Sequence, residues 1–124
     1  MSNPVAWFEI YVQDMARARK FYESVFKAAL QKLDNPDPQM EMWSFPGDMA
    51  SYGVPGALVW RKGVPSGGNS TLVYFHCEDC AVEQGRVAGA GGQVHMAKFS
   101  IGQYGSIALV VDTEGNMIGL HSMK

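Results

Sequence analysis

The stretch Trp7-Phe-Glu-Ile-Tyr-Val-Gln-Asp-Met-Ala-Arg-Ala-Arg-Lys-Phe-Tyr22 changes its period half-way along. Up to Val12 the residues alternate: Phe8, Ile10 and Val12 share one face of an extended chain, and Trp7, Glu9 and Tyr11 share the other. Successive side chains of a strand point to opposite faces, so the pattern is that of a β-strand over about 5–12 with one apolar and one polar-aromatic face. Beyond it Asp14 is placed to cap a helix, and Met15, Ala18, Phe21, Tyr22, Val25, Phe26 and Ala29 recur at spacings of three and four. That periodicity predicts an amphipathic helix over about 14–29.

Working outward, short extended stretches follow around 39–45 and 56–61, separated by the loop Pro46-Gly-Asp-Met-Ala-Ser-Tyr-Gly-Val-Pro-Gly56. The Gly- and Pro-rich run Gly63-Val-Pro-Ser-Gly-Gly-Asn-Ser70 reads as a connector. The second half then repeats the order of the first. A strand over 71–77 runs into a second capping residue, Asp79, and a weaker helix that contains Gly85 and ends at Gly89-Ala-Gly-Gly92. A glycine inside a helix costs about 1 kcal/mol against alanine unless it admits close packing. Extended stretches at about 93–97, 105–111 and 117–121 complete the pattern, the last two joined by the turn Asp112-Thr-Glu-Gly-Asn116. A shift of 65 residues lays Val12-Gln-Asp14 on Cys77-Glu-Asp79 with matching strand parity. The expected class is α+β, with two βαβββ modules at about 4–62 and 70–124.

With 124 residues, 47% of them hydrophobic and 18% charged, the chain has the length and composition of a single packed domain. Ten Lys and Arg against 12 Asp and Glu leave a net charge of -2 and no basic run, which argues against nucleic acid as a partner. The longest apolar run, Ile107 to Val111, is far short of the ~20 residues that span a bilayer, so no membrane partner is expected. The start, Met-Ser-Asn-Pro, lacks the features of a signal peptide, and two cysteines two residues apart form no secreted disulfide framework. A reducing cytoplasm is the expected compartment.

Two βαβββ modules joined by a Gly-rich connector resemble the vicinal oxygen chelate superfamily of glyoxalases, bleomycin-resistance proteins and extradiol dioxygenases. The residues that carry the resemblance are Trp7 to Tyr22 as quoted, Ala90-Gly-Gly92, Ile101-Gly-Gln-Tyr-Gly105 and Asp112-Thr-Glu-Gly-Asn-Met-Ile-Gly-Leu120. The resemblance implies curled mixed sheets with helices on the convex side and a ligand in the concave trough, often completed across a homodimer. It also implies a divalent metal held by His and Glu on the first, fourth, fifth and eighth strands, with open positions for two substrate oxygens. Transferred one by one, those positions fall on Trp7, within Ala57-Leu-Val59, on Leu72 and on Gly119, none of which coordinates a metal. A member without the usual metal centre, and with no cofactor, is therefore expected.

Glu9, His76 and His121 lie on the same strand faces as the lost ligands, a few residues further on, and two His with one carboxylate suffice chemically for zinc, iron or manganese. Steps of two to four residues along a strand move a side chain by ~7 to 13 Å, so the three need not converge. Polar groups lining a solvated trough are the plainer expectation, and His95 is assigned no role. Cys77-Glu-Asp-Cys80 has redox-motif spacing at a strand-to-helix junction, but two intervening carboxylates disfavour a thiolate, and Cys77 falls on the helix-facing side with Val73 and Phe75. It reads as core. Trp7, Tyr11 and Tyr74 fall on the expected concave faces, with Trp43, Phe45, Tyr52 and Trp60 contributed by the neighbouring strands and loop. Aromatic linings with a few polar groups make small-molecule sites, and equally serve as filling or as a dimer contact. Loop 46–56 reads as a surface loop or a lid.

The expected ligand-binding set is thus Trp7, Glu9, Tyr11, Trp43, Trp60, Tyr74, His76 and His121. The function expected is metal-free binding of a small apolar or aromatic molecule by a homodimer. The alternative is a metal-dependent lyase or dioxygenase built on Glu9, His76 and His121, the one reading that requires a divalent metal.

Overall fold

A computed structural model describes residues 3–68 and 70–124; the first two residues and Asn69 of the connector lie outside the described residues. The fold is α+β, and the chain divides into two compact units, one of residues 7–71 and one formed by residues 72–124 with the residues that precede Trp7.

β1 (Val5–Tyr11), which lies in the first unit from Trp7 onward, leads into α1 (Met15–Phe26), followed by β2 (Gln31–Leu33), β3 (Met40–Ser44) and β4 (Gly56–Arg61). The strands lie in the order β1-β4-β3-β2. The β1–β4 pair is parallel and the other two pairs are antiparallel. A parallel pair needs a long crossover, here supplied by α1 and the β2–β3 hairpin. The Asp14 side chain caps α1 by accepting from the Arg17 N–H at 3.0 Å. The helix stops at Phe26, earlier than its periodicity predicts, because Lys27 adopts the left-handed conformation (φ 51°) and its N–H closes on the Glu23 carbonyl. Glu23 also accepts from the Leu30 N–H at 2.9 Å, which leads the chain into β2.

Cα register pairs Phe8 with Gly56, Ile10 with Leu58 and Leu58 with Trp43, so these residues share one face. Met15, Val12, Leu30 and Leu58 form the core on that face, with Ala18, Tyr22, Trp43 and Trp60 packed against it. The Arg19 guanidinium lies 3.5 Å from the centroid of the Trp43 ring, and such a contact adds to the packing. Only part of the helix's apolar stripe is used: Phe21, Val25 and Phe26 are 59, 55 and 64% exposed.

The second unit repeats the arrangement with β5 (Thr71–His76), α2 (Cys80–Val87), β6 (Gln93–Ser100), β7 (Ser106–Val111) and β8 (Met117–Ser122), ordered β5-β8-β7-β6. Again the first and last strands pair in parallel, and the others are antiparallel. A single 3-10 turn, Gly102–Tyr104, precedes β7. Its core is Cys77, Cys80, Ala108, Val110 and Leu120, with Phe75, Val87 and Ile118 against it. Asp79 caps α2 through the Ala81 N–H and is bound at 2.8 Å by the Lys98 ammonium from β6. The buried Ser122 hydroxyl accepts from the Cys80 N–H at 3.0 Å, fixing the other end of the same turn.

Gly85 has open space where a side chain would stand, so it serves no close approach and only weakens α2. The close approach is at Gly92, where a Cβ would meet the Val111 carbonyl and Val87. β6 extends to Ser100, beyond the expected end at 97, and its register with β7 shifts between Val94 and Met96 and again between Met96 and Phe99. Among the described residues no helix is long and apolar enough to cross a membrane.

Candidate functional site

On the face of the first unit away from α1, Trp7, Glu9 and Tyr11 stand in line along β1. Alternate residues of a strand are ~7 Å apart, within reach of long side chains, and here both aromatics close onto the acid between them. The Trp7 indole N–H donates to one Glu9 oxygen at 3.1 Å, and the Tyr11 hydroxyl donates to the other at 2.8 Å. Glu9 is 8% exposed, a burial that a carboxylate tolerates only with such partners. The register sets Ala57 beside Glu9 and Val59 beside Tyr11, both closed to solvent, so the carboxylate sits against an apolar floor. Burial, and after it the Glu9 charge, raises the Tyr11 pKa well above its ordinary value, keeping the phenol protonated as a donor.

In the second unit the face away from α2 carries Tyr74, His76, Gly119 and His121. Tyr74 pairs with Gly119 and His76 with His121 across the parallel strands β5 and β8. The Tyr74 ring covers Gly119 so closely that a Cβ at 119 would collide with it. His121 Nε2 lies 2.6 Å from the Tyr104 carbonyl, which makes that nitrogen the protonated one. The partnership with the turn Gly102–Tyr104 was not readable from spacing, because it depends on how the turn folds back over β8. His76 is exposed, as is His95 on β6.

Two members of the expected set do not join these faces. Trp43 and Trp60 lie on the α1-facing side, in and against the core of Val12, Met15, Leu30 and Leu58. The reason is register: β4 turns Leu58 and Trp60 to the side of Ile10, and β3 follows through the pairs Trp43–Leu58 and Glu41–Trp60. Phe45 shares their side, and Tyr52 is fully exposed on the loop after β3. Cys77 and Cys80 are free and buried in the second core, and burial, followed by the nearby Glu83, pushes the Cys77 thiol up to about 11.

The positions from which a metal would be held in a vicinal oxygen chelate enzyme do not fit one. Trp7 offers only an N–H donor, which it gives to Glu9; Ala57, Leu58, Val59 and Leu72 are buried hydrocarbon; Gly119 lies under a tyrosine ring. Among the described residues no three His, Cys, Asp or Glu side chains gather in a group able to hold a metal ion.

Residues 5–120 match the model of the Glyoxalase/Bleomycin resistance protein/Dioxygenase superfamily. The chain belongs to this superfamily. Over 118 residues it is 29% identical to the protein named "Putative glyoxylase CFP32" in Mycobacterium bovis and in Mycobacterium tuberculosis. The match takes in 92% of this chain and 43% of those proteins, so the chain spans less than half the length of these superfamily relatives. Among solved structures, a hypothetical protein from Bacillus halodurans superposes with a TM-score of 0.74 at 13% identity, covering 100% of this chain and 96% of that one. Methylmalonyl-CoA epimerase from Mycobacterium tuberculosis superposes with a TM-score of 0.68 at 14% identity, covering 98% and 88%. At such identities the likeness is one of fold alone.

Proposed function

We propose that the protein binds a small apolar or aromatic molecule without a metal, using the face of β1 that carries Trp7, Glu9 and Tyr11. The observation that carries this reading is the Glu9 carboxylate, buried and held between the Trp7 indole and the Tyr11 phenol. Two aromatic rings tied to a fixed carboxylate above an apolar floor supply stacking surface with one oriented polar feature, the usual composition of a small-molecule site. Tyr74, His76 and His121 offer an aromatic and two imidazoles on the second unit's corresponding face. A homodimer in a reducing compartment belongs to the same reading, the latter supported by two free cysteines in the core.

A second reading, a metal-dependent lyase or dioxygenase, is favoured by the register that sets His76 directly opposite His121. Among the described residues no three His, Cys, Asp or Glu side chains gather, so this reading needs a third ligand recruited on metal binding. One experiment separates the two: elemental analysis of protein purified without chelator, alongside tryptophan fluorescence quenching by a panel of neutral aromatic compounds. The first reading expects no stoichiometric transition metal, and saturable quenching that Trp7→Ala weakens. About one zinc, iron or manganese per chain would overturn it in favour of the second.

A further inference from the structure

The first unit also holds a cavity of about 570 Å³ on its α1-bearing side, the side opposite Trp7, Glu9 and Tyr11. Phe8 and Phe45 form its floor, Tyr22 and Phe26 of α1 one wall, and loop 46–55 the other. The rings are arranged as a continuous aromatic surface: Phe8 and Phe45 have centroids 5.7 Å apart, Tyr22 meets Phe45 edge-on at 5.6 Å, and Phe26 stacks on Tyr22 at 6.2 Å. Phe8 reaches its position because its register partner Gly56 has no side chain, and the ring occupies the place where one would stand. The helix residues that the core leaves uncovered are therefore not idle: Phe26 forms part of this wall.

The loop is built rather than slack. Asp48 accepts from the Ala50 and Ser51 N–H groups, each at 2.8 Å, and from the Ser51 hydroxyl at 2.9 Å, all on one carboxylate oxygen. These bonds, the Ser51 hydroxyl first, lower the Asp48 pKa and keep it ionised. Gly53 takes a positive φ of 100°, a conformation open to glycine, and Tyr52 beside it projects fully into solvent. Asp48 lines the cavity, and among the described residues no Lys, Arg or His does.

We propose that this cavity is a ligand site in its own right, taking a flat aromatic molecule that carries a positive charge. Its volume lies in the range of small-molecule pockets, roughly 300 to 1,000 Å³. Rings supplied by strand and helix suit a planar ligand, which gains from stacking and edge contacts. A cation is favoured over an anion twice, by the ionised Asp48 and by the negative faces of the rings.

The test uses the intact chain and two probes: proflavine, a planar aromatic cation, and 8-anilinonaphthalene-1-sulfonate, an aromatic anion, each followed by backbone amide shifts. Proflavine is expected to shift amides of loop 46–55 and of the end of α1 to saturation, and to bind at least about threefold more tightly than the anion. Asp48→Asn, which keeps the oxygen acceptor and removes the charge, should weaken proflavine about threefold while leaving the anion no weaker. Phe26→Ala, at an exposed position, should weaken both by roughly fivefold. Shifts confined to the strand face of Trp7, Glu9 and Tyr11, tighter binding of the anion, or no saturable shift would each overturn the proposal. It would equally fall if sedimentation showed this patch covered by a second copy, with Phe26→Lys converting a dimer to a monomer.

Discussion

Tyr74 and Gly119 are register partners on the parallel strands β5 and β8, and the tyrosine ring fills the space that any side chain at 119 would need. A glycine under an aromatic ring is a steric pairing, and it breaks from the glycine side. Gly119→Ala should destabilise the protein by about 1 to 3 kcal/mol, because the ring must leave its place in a packed face. In urea titrations the double variant with Tyr74→Ala should cost less than the sum of the two single variants. Strict additivity would show that the ring and the glycine are not coupled.

Trp7 is expected to act through both its ring and its N–H. Trp7→Phe keeps an aromatic surface but removes the donor to Glu9, and should cost about 1 kcal/mol of stability with little loss of aromatic ligand binding. Trp7→Ala should also weaken the ligand by about 0.5 to 1.5 kcal/mol, read from quenching titrations. A loss of several kcal/mol of stability in Trp7→Ala without any ligand would make Trp7 a filler rather than a binding residue.

Restoring one imidazole should not restore a metal centre. Trp7→His supplies one ligand while Ala57, Leu58, Val59, Leu72 and Gly119 stay as they are, and elemental analysis should find it as poor in zinc, nickel, iron and manganese as the parent. Stoichiometric metal in Trp7→His would mean that other donors complete the shell.

Alkaline stability should fall in two stages. The Cys77 thiol, 4% exposed, is pushed up to about 11 from 9.0, first by burial and then by Glu83. The folded chain thus holds this proton more tightly than the unfolded one, so the contribution is complete below pH 9.0 and is lost as the pH rises toward about 11. Tyr11 repeats the behaviour from 10.0 upward. Urea midpoints measured across this range should decline, with Cys77→Ala flattening the lower part and Tyr11→Phe the upper. An unchanged decline in both variants would place its cause elsewhere.

The faces of β1 could be read directly because its alternation is regular, Phe8, Ile10 and Val12 against Trp7, Glu9 and Tyr11, and nothing in the fold disturbs it. The repeated strand–helix order likewise pointed to two modules of one plan, to which the structure adds that the first and last strands of each pair in parallel. Trp43 and Trp60 were expected in the site with no face assigned to them, because the face they take depends on which residue of β4 meets Ile10, a register that no local pattern reports. The three-residue β2 is too short to show a period. The bond from Trp7 and Tyr11 to Glu9 was implicit in their shared face, whereas the cavity under Phe26 depended on where loop 46–55 comes to rest.

The double register shift in β6 bears on how the protein behaves at high concentration. β6 ends its sheet and exposes Val94, Met96 and Phe99, each at least 36% open. A straight strand of that composition would offer an unbroken row of amide and carbonyl groups to another chain, the template on which fibrils grow. Its two irregularities spoil the spacing of that row, and in the first unit the edge strand β2 is too short to serve, with Lys32 within it. Colloidal stability is thus written into the backbone of a strand that its side chains alone would make adhesive, and removing His95, at the first irregularity, should turn a clear solution into one that seeds thioflavin-positive aggregates.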